Sequence, residues 1–152
     1  MSRRNGAGVG DPGLRHRMRG EERRIEGQHE QLDALCREVR AELERGGTEG
    51  ALDNYLHFVD ALEAHMKVEE EIYFPALHGL REELSEELTA LVEAHHVFRG
   101  QAEDLRTLFE EHDRLAARDA IERLALEFAA HEAAEEELMA RVNEPPVESS
   151  ST

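Results

Sequence analysis

Apolar residues recur at helical spacing in four stretches, separated by short polar or glycine-containing breaks, and that period predicts four amphipathic helices. The first runs from about Glu21 to Arg45, with Ile25, His29, Leu32, Cys36, Val39 and Leu43 on one stripe, and stops at Gly46-Gly47, where glycine ends helices readily. The second begins near Thr48 and carries Leu52, Phe58, Leu62, His65, Val68 and Ile72 before Pro75 and Gly79. Proline lacks an N–H and clashes with the preceding turn, so Pro75 should kink or end that helix. The third starts near Ser85 and carries Leu88, Leu91, His95, Phe98, Ala102, Leu105 and Phe109. The fourth starts between Asp113 and Asp119, where Asp119 and Glu122 have capping-box spacing, and carries Leu124, Phe128, His131, Ala134 and Leu138. Connections this short force neighbours antiparallel, so the expected fold is an all-α, up-down-up-down four-helix bundle.

Outside these stretches the period is lost. Residues 1–19 are Gly- and Arg-rich and read as a flexible arm, residues 20–143 as the bundle, and residues 144–152 as a flexible tail. The arm carries Arg3, Arg4, Arg15, Arg17 and Arg19 against one acid, Asp11. A solvated tail is the plain reading, and docking onto an acidic partner protein is the alternative.

Polar residues interrupt the apolar stripes in a repeated way. His29 is followed 36 positions later by His65 and then Glu69; His95 is followed 36 positions later by His131 and then Glu135. Sliding residues 25–72 by 66 positions onto 91–138 needs no gap and also superposes Glu69-Glu70-Glu71 on Glu135-Glu136-Glu137. In an antiparallel pair two residues sit level when the turn lies midway between them. The midpoints of the successive histidine pairs are Gly47, Leu80 and Asp113, all at expected turns. At ~1.5 Å rise per residue the four histidines share one layer, roughly 22–27 Å from the turns. Each glutamate lies four residues past a histidine, on nearly the same helix face.

Composition narrows the partners. The chain has 152 residues, enough for one domain with a proper core, and only 5% are aromatic. A formal net charge of −17 argues against nucleic acid and anionic membrane surfaces. No apolar stretch approaches the ~18–20 residues of a membrane span, and the Arg-rich start lacks the apolar region of a secretory signal. One cysteine, Cys36, excludes an internal disulfide and fits a cytoplasmic protein.

Buried imidazole and carboxylate are costly unless paired or bound to metal, so His29, His65, Glu69, His95, His131 and Glu135 are the candidate metal ligands. Nitrogen and oxygen donors without thiolate suit iron, manganese or zinc. Six ligands exceed the four of a structural zinc and suit two ions with positions left open for a small ligand. The plain alternative is a polar core whose members satisfy one another.

His29, then His65-Met-Lys-Val-Glu69, then His95, then His131-Glu-Ala-Ala-Glu135 resembles the hemerythrin-like (HHE cation-binding) domain. The run Glu69-Glu-Glu-Ile-Tyr-Phe-Pro75 is similar to that family's Glu-rich stretch entering Phe-Pro. The resemblance covers roughly residues 21–142. It implies a non-haem pair of iron ions (Fe2+/Fe3+) with a bridging oxygen, the four histidines as terminal ligands, and Glu69 and Glu135 as bridges. O2, nitric oxide or peroxide would then be the small ligand. Oxygen carriers of the family place a second histidine four residues after the third-helix ligand, where this chain has Arg99. That departure favours sensing or redox chemistry over simple carriage: a diatomic-binding protein, or a peroxide-disproportionating or ferroxidase enzyme, with a metal-free interaction module as the remaining alternative.

Other residues invite different readings. His96 competes with His95, although the repeat register favours His95. Glu26 to His29 and Glu93 to His96 mimic a ferritin-like Glu-x-x-His motif, on the wrong helices. His57 reads as partly exposed, His16, His78 and His112 as solvated, and Cys36 as a small buried group. Tyr73 reads as packing at the bundle end, with a hydrogen bond toward the site as the alternative. Glu70, Glu71, Glu136 and Glu137 read as a solvated face.

Overall fold

The computed structural model describes residues 12–143. Within them lie α1 (Pro12–Glu44), α2 (Thr48–Val68), α3 (Phe74–Leu80), α4 (Ser85–Glu110) and α5 (Arg114–Asn143). A π-helical turn over Glu69–Tyr73 joins α2 to α3, so the two form one continuous rod, and a 3-10 turn over Glu82–Leu84 leads into α4. Around the bundle, α1 packs on α2 and α5, and α4 packs on α2 and α5. This is the all-α four-helix architecture expected from the period.

The turns fall where the sequence placed them. Gly46 has φ +94, a left-handed conformation that glycine adopts without a Cβ penalty, and its N–H bonds the Leu43 carbonyl at 3.0 Å. Arg114 Nη1 donates to the same carbonyl at 2.9 Å, which ties the α4–α5 turn to the end of α1. Asp113, not Asp119, starts α5: its Oδ1 accepts from the Ala116 N–H at 3.2 Å, the bond that an N-cap supplies. Asp119 and Glu122 lie inside that helix, so their capping-box spacing has no role.

Three further expectations are corrected. Helix α1 begins at Pro12, inside the stretch read as an arm, because Met18 is buried in an apolar cluster with Leu138, Met139 and Val142. The arm's first eleven residues and the tail 144–152 lie outside the described residues. Ile72 is 46% exposed whereas Tyr73 is buried, because a π-turn takes more residues per turn and advances the inward face by one position. The same wide turn accommodates Pro75 near the start of α3, where a missing N–H costs least. Ala134 is exposed, and Glu135 occupies the inward position instead.

The apolar core comes in two pieces. One contains Leu32, Val39, Tyr55, Phe58, Phe98, Phe109, Ile121 and Phe128 among others; the second contains Met18, Ile25, Tyr73, Phe74, Leu77, Leu88 and Leu138. On every rod a histidine or glutamate of the repeated set lies between the two. Met18→Ala should lower stability by about 2 kcal/mol, the lower end for a buried methionine, read as a shift of the urea midpoint. An unchanged midpoint would show that the first turns of α1 do not pack.

Candidate metal centre

The layer between the two apolar clusters is polar and buried. His29, His65, Glu69, His95, His131 and Glu135 are all buried, with Glu69 and His95 wholly so. The π-turn begins at Glu69 and α5 carries His131 and Glu135 on one face, so each His-x-x-x-Glu pair aims two donors inward.

The six side chains form two groups that share both carboxylates. One contains His29, His65, Glu69 and Glu135; the other contains Glu69, His95, His131 and Glu135; within each group one donor atom per residue lies within 4.8 Å of every other. Ring centroids are 4.9 Å apart for His29–His65 and 5.0 Å for His95–His131. Glu69 Oε2 stands 3.2 Å from His65 Nε2 and Oε1 stands 3.0 Å from His95 Nε2, one oxygen toward each half. Glu135 does the same: Oε1 accepts from His29 Nε2–H at 3.0 Å, and Oε2 lies 2.7 Å from His131 Nε2.

Donor chemistry decides what fits here. His65 Nδ1–H donates to Gln28 Oε1 at 2.7 Å and His95 Nδ1–H donates to Glu70 Oε2 at 2.6 Å, since those oxygens can only accept. Nε2 is therefore the ring nitrogen that faces Glu69 in both, with a lone pair in neutral His65 and with either a proton or a lone pair in His95. Nε2 of His65, His95 and His131, both Glu69 oxygens and Glu135 Oε2 are buried without a hydrogen bond. Facing lone pairs repel unless a proton or a cation sits between them. The donor set thus fits metal cations, with the opposite ring nitrogen held by an outer acceptor, as metal-binding histidines usually are.

Charge in the layer is finely divided. Burial pushes the Glu69 carboxyl up to about 9, and the like charge of Glu135 adds to it. Glu135 is held well below the usual carboxylate range, despite its own burial, by contacts with His131, His29 and His95. Burial lowers His65 to about 3. For His95 burial also works downward, but the Glu135 and Glu69 carboxylates outweigh it and raise the ring to about 9. His29 is raised on the same balance, chiefly through Glu135. Without a metal, protons hold this layer together.

The hemerythrin HHE cation-binding domain model matches residues 20–142. This chain belongs to the hemerythrin HHE family. No curated protein and no solved structure matched it.

In this HHE domain the structure brings together all six residues singled out by the repeat. His96 is exposed, and His95 is the histidine of α4 that faces the layer. Glu26 and Glu93 are exposed as well, so the ferritin-like strings point away from the layer. His57 and His78 are exposed, and His112 Nδ1 pairs with Thr48 Oγ1 at a turn, 3.0 Å away. The Tyr73 hydroxyl turns from the site and donates to Glu22 Oε2 at 2.9 Å, so its role is at the bundle end.

Sequence reasoning missed the outer acceptors. Glu70, expected on a solvated face, is half-buried on His95; Glu136 is exposed, but its Oε2 reaches 3.5 Å from His29 Nδ1. Glu132 is buried with Oε2 unbonded, and burial pushes its carboxyl up to about 8. A run of glutamates looks alike in sequence; only the neighbouring helix distinguishes them. Beside the layer, a cleft of about 260 Å³ between α1 and α5 is lined by Leu32, Cys36, Phe58 and Phe128 with Arg37 and Arg40, and the Phe128 ring contacts those of His29, His65 and His131.

Proposed function

We propose that this chain holds two iron ions, one among His29 and His65 and one among His95 and His131, with Glu69 and Glu135 shared. The pair binds or senses O2 or a related diatomic such as nitric oxide. The sharing of both carboxylates by two ligand groups carries this reading, because the four histidines divide into two pairs, each gathered with the same two glutamates around its own centre. Iron supplies a reversible change of charge and affinity for diatomic ligands. The chain's own residues hold the donors, orient the rings through Gln28 and Glu70, and exclude bulk water with the two apolar clusters. The cleft beside Phe128 brings a small apolar molecule to the imidazole layer.

Manganese or zinc suits the same donors, so the test must read both metal and reactivity. Protein loaded anaerobically with ferrous iron should retain about two ions per chain by this count of ligands and develop near-ultraviolet bands when air is admitted. A ratio near one, or a spectrum indifferent to air, contradicts the proposal. Stoichiometric, reversible binding supports the sensing role, while sustained gas evolution from peroxide or continuing iron turnover would assign an enzyme. A reducing compartment such as the cytoplasm suits the single buried thiol of Cys36, and no described helix is long and apolar enough to cross a membrane. A partner protein bound by the Arg-rich N-terminal residues belongs to this proposal too; a truncation that leaves pull-down partners unchanged would remove it.

A further inference from the structure

The two halves that match in sequence differ in what stands behind their histidines. In one half Glu70 Oε2 accepts the His95 Nδ1–H bond at 2.6 Å. Arg99, one turn past His95, donates to both oxygens of that carboxylate, at 3.1 Å from Nη1 and 3.2 Å from Nη2. The same guanidinium grips Glu63 through Nε at 2.9 Å and Nη2 at 3.1 Å. Two carboxylates on the α2 rod are thus locked to α4 by one forked cation, a geometry that lysine cannot reproduce. Sixty-six positions away, Glu136 corresponds to Glu70 and His29 to His95, but Asp33 stands for Arg99 and Ala129 for Glu63. An acid therefore stands where Arg99 supplies a cation to Glu70, and Ala129 offers no second anchor. Glu136 is accordingly 55% exposed and 3.5 Å from His29 Nδ1, whereas the Glu70 side chain is 22% exposed.

We propose that Glu70, clamped by Arg99 and Glu63, is a positioning residue that selectively strengthens the metal position built on His95 and His131. The inference rests on the metal pair proposed above. A carboxylate behind an imidazole raises the basicity of the opposite nitrogen and fixes the ring. The position on His29 and His65 has its own acceptor, Gln28, but that group is a neutral amide, and charge-assisted bonds are roughly twice as strong. Arg99 therefore does not merely replace a ligand found in oxygen carriers. It fixes an outer carboxylate whose counterpart in the matching half, Glu136, is left mostly exposed.

Cobalt(II) titration of the full metal-free chain, read by visible absorption and by hyperfine-shifted ring N–H signals in proton NMR, tests this. Wild type should take two ions. Glu70→Gln and Arg99→Leu should each weaken one ion by about 10–100-fold and leave the other unchanged, with Arg99→Lys in between. Arg99→Leu should also hasten exchange of the shifted His95 Nδ1–H signal. Glu136→Gln should change neither affinity. A purely structural clamp would lower Tm in Arg99→Leu and Arg99→Lys with both affinities intact, and that result overturns the inference, as does equal weakening of both ions. Should wild type bind one ion, the pair reading fails, and this inference then stands only if Glu70→Gln weakens that ion.

Discussion

Glu69→Gln is expected to abolish the binding of two metal ions together, by more than about 100-fold, beyond what loss of an outer partner costs. Glu69 offers one oxygen to His65 Nε2 at 3.2 Å and the other to His95 Nε2 at 3.0 Å. An amide has one oxygen, and its NH2 is a donor that no cation accepts. Glutamine can therefore serve one half of the layer at most. His65→Ala, by contrast, removes a donor from one group only, and the second ion should remain. Isothermal titration with zinc, checked by metal analysis after dialysis, separates the two variants. If Glu69→Gln still takes up two ions with wild-type affinity, the shared-carboxylate geometry is not a metal centre.

The same substitution isolates ligation from packing. Glutamine has nearly the volume of glutamic acid, and the native carboxyl keeps its proton up to about pH 9 when metal is absent. Metal-free Glu69→Gln should therefore unfold close to metal-free wild type at pH 7. The layer is sustained by its surroundings: apolar clusters above and below, and outer acceptors that leave Nε2 lone pairs aimed inward. Buried carboxylates without compensation are destabilising, so the arrangement makes physical sense as a receptor for positive charge.

Much of this was legible because two periodicities coincide. The helical stripe placed His29, His65, His95 and His131 inward, and the 66-residue match placed them level; both follow from rise per residue and need no tertiary knowledge. Glu69 and Glu135 came with them through four-residue spacing. What stayed hidden depended on a neighbouring helix or on a change of winding. Ile72 and Tyr73 exchange places because of a π-turn, which no apolar period announces. Met18 belongs to α1 because Leu138 and Val142 offer it a partner. Glu70 differs from Glu71 only because Arg99 and His95 lie across from it, and a charge run gives no hint of which member will be caught. Glu136 is the intermediate case, 55% exposed yet within 3.5 Å of His29 Nδ1.

Metal-free protein is expected to be most stable at about pH 5 and to weaken steadily toward pH 9. Unfolded, the Glu69 carboxyl ionises at its ordinary value of 4.5, but folded it keeps its proton to about 9. His95 is raised from 6.5 to about 9, so its stabilisation is complete below 6.5 and gone above 9. Both make the native state the better proton binder between 6.5 and 9, and stability falls wherever that holds. His65 acts in the opposite direction. Its ring, lowered to about 3, refuses a proton that the unfolded chain takes at 6.5, so stability also falls as pH drops from 6.5 toward 3. Glu135, held low by its histidines, adds to the loss below 4.5. Between 4.5 and 6.5 the slopes of Glu69 and His65 cancel, and Glu132, which burial raises to about 8, leaves stability already declining gently as pH rises. From pH 6.5 to 9 the loss should reach several kcal/mol, or roughly 10 °C in Tm. Metal binding requires the deprotonated donors and expels those protons, so affinity rises with pH. Calorimetric melts from pH 5 to 9, with and without zinc, should therefore show the two Tm curves diverging as pH rises. Curves that stay parallel, or a metal-free Tm that climbs toward pH 9, would contradict a layer in which protons and cations compete for the same six side chains.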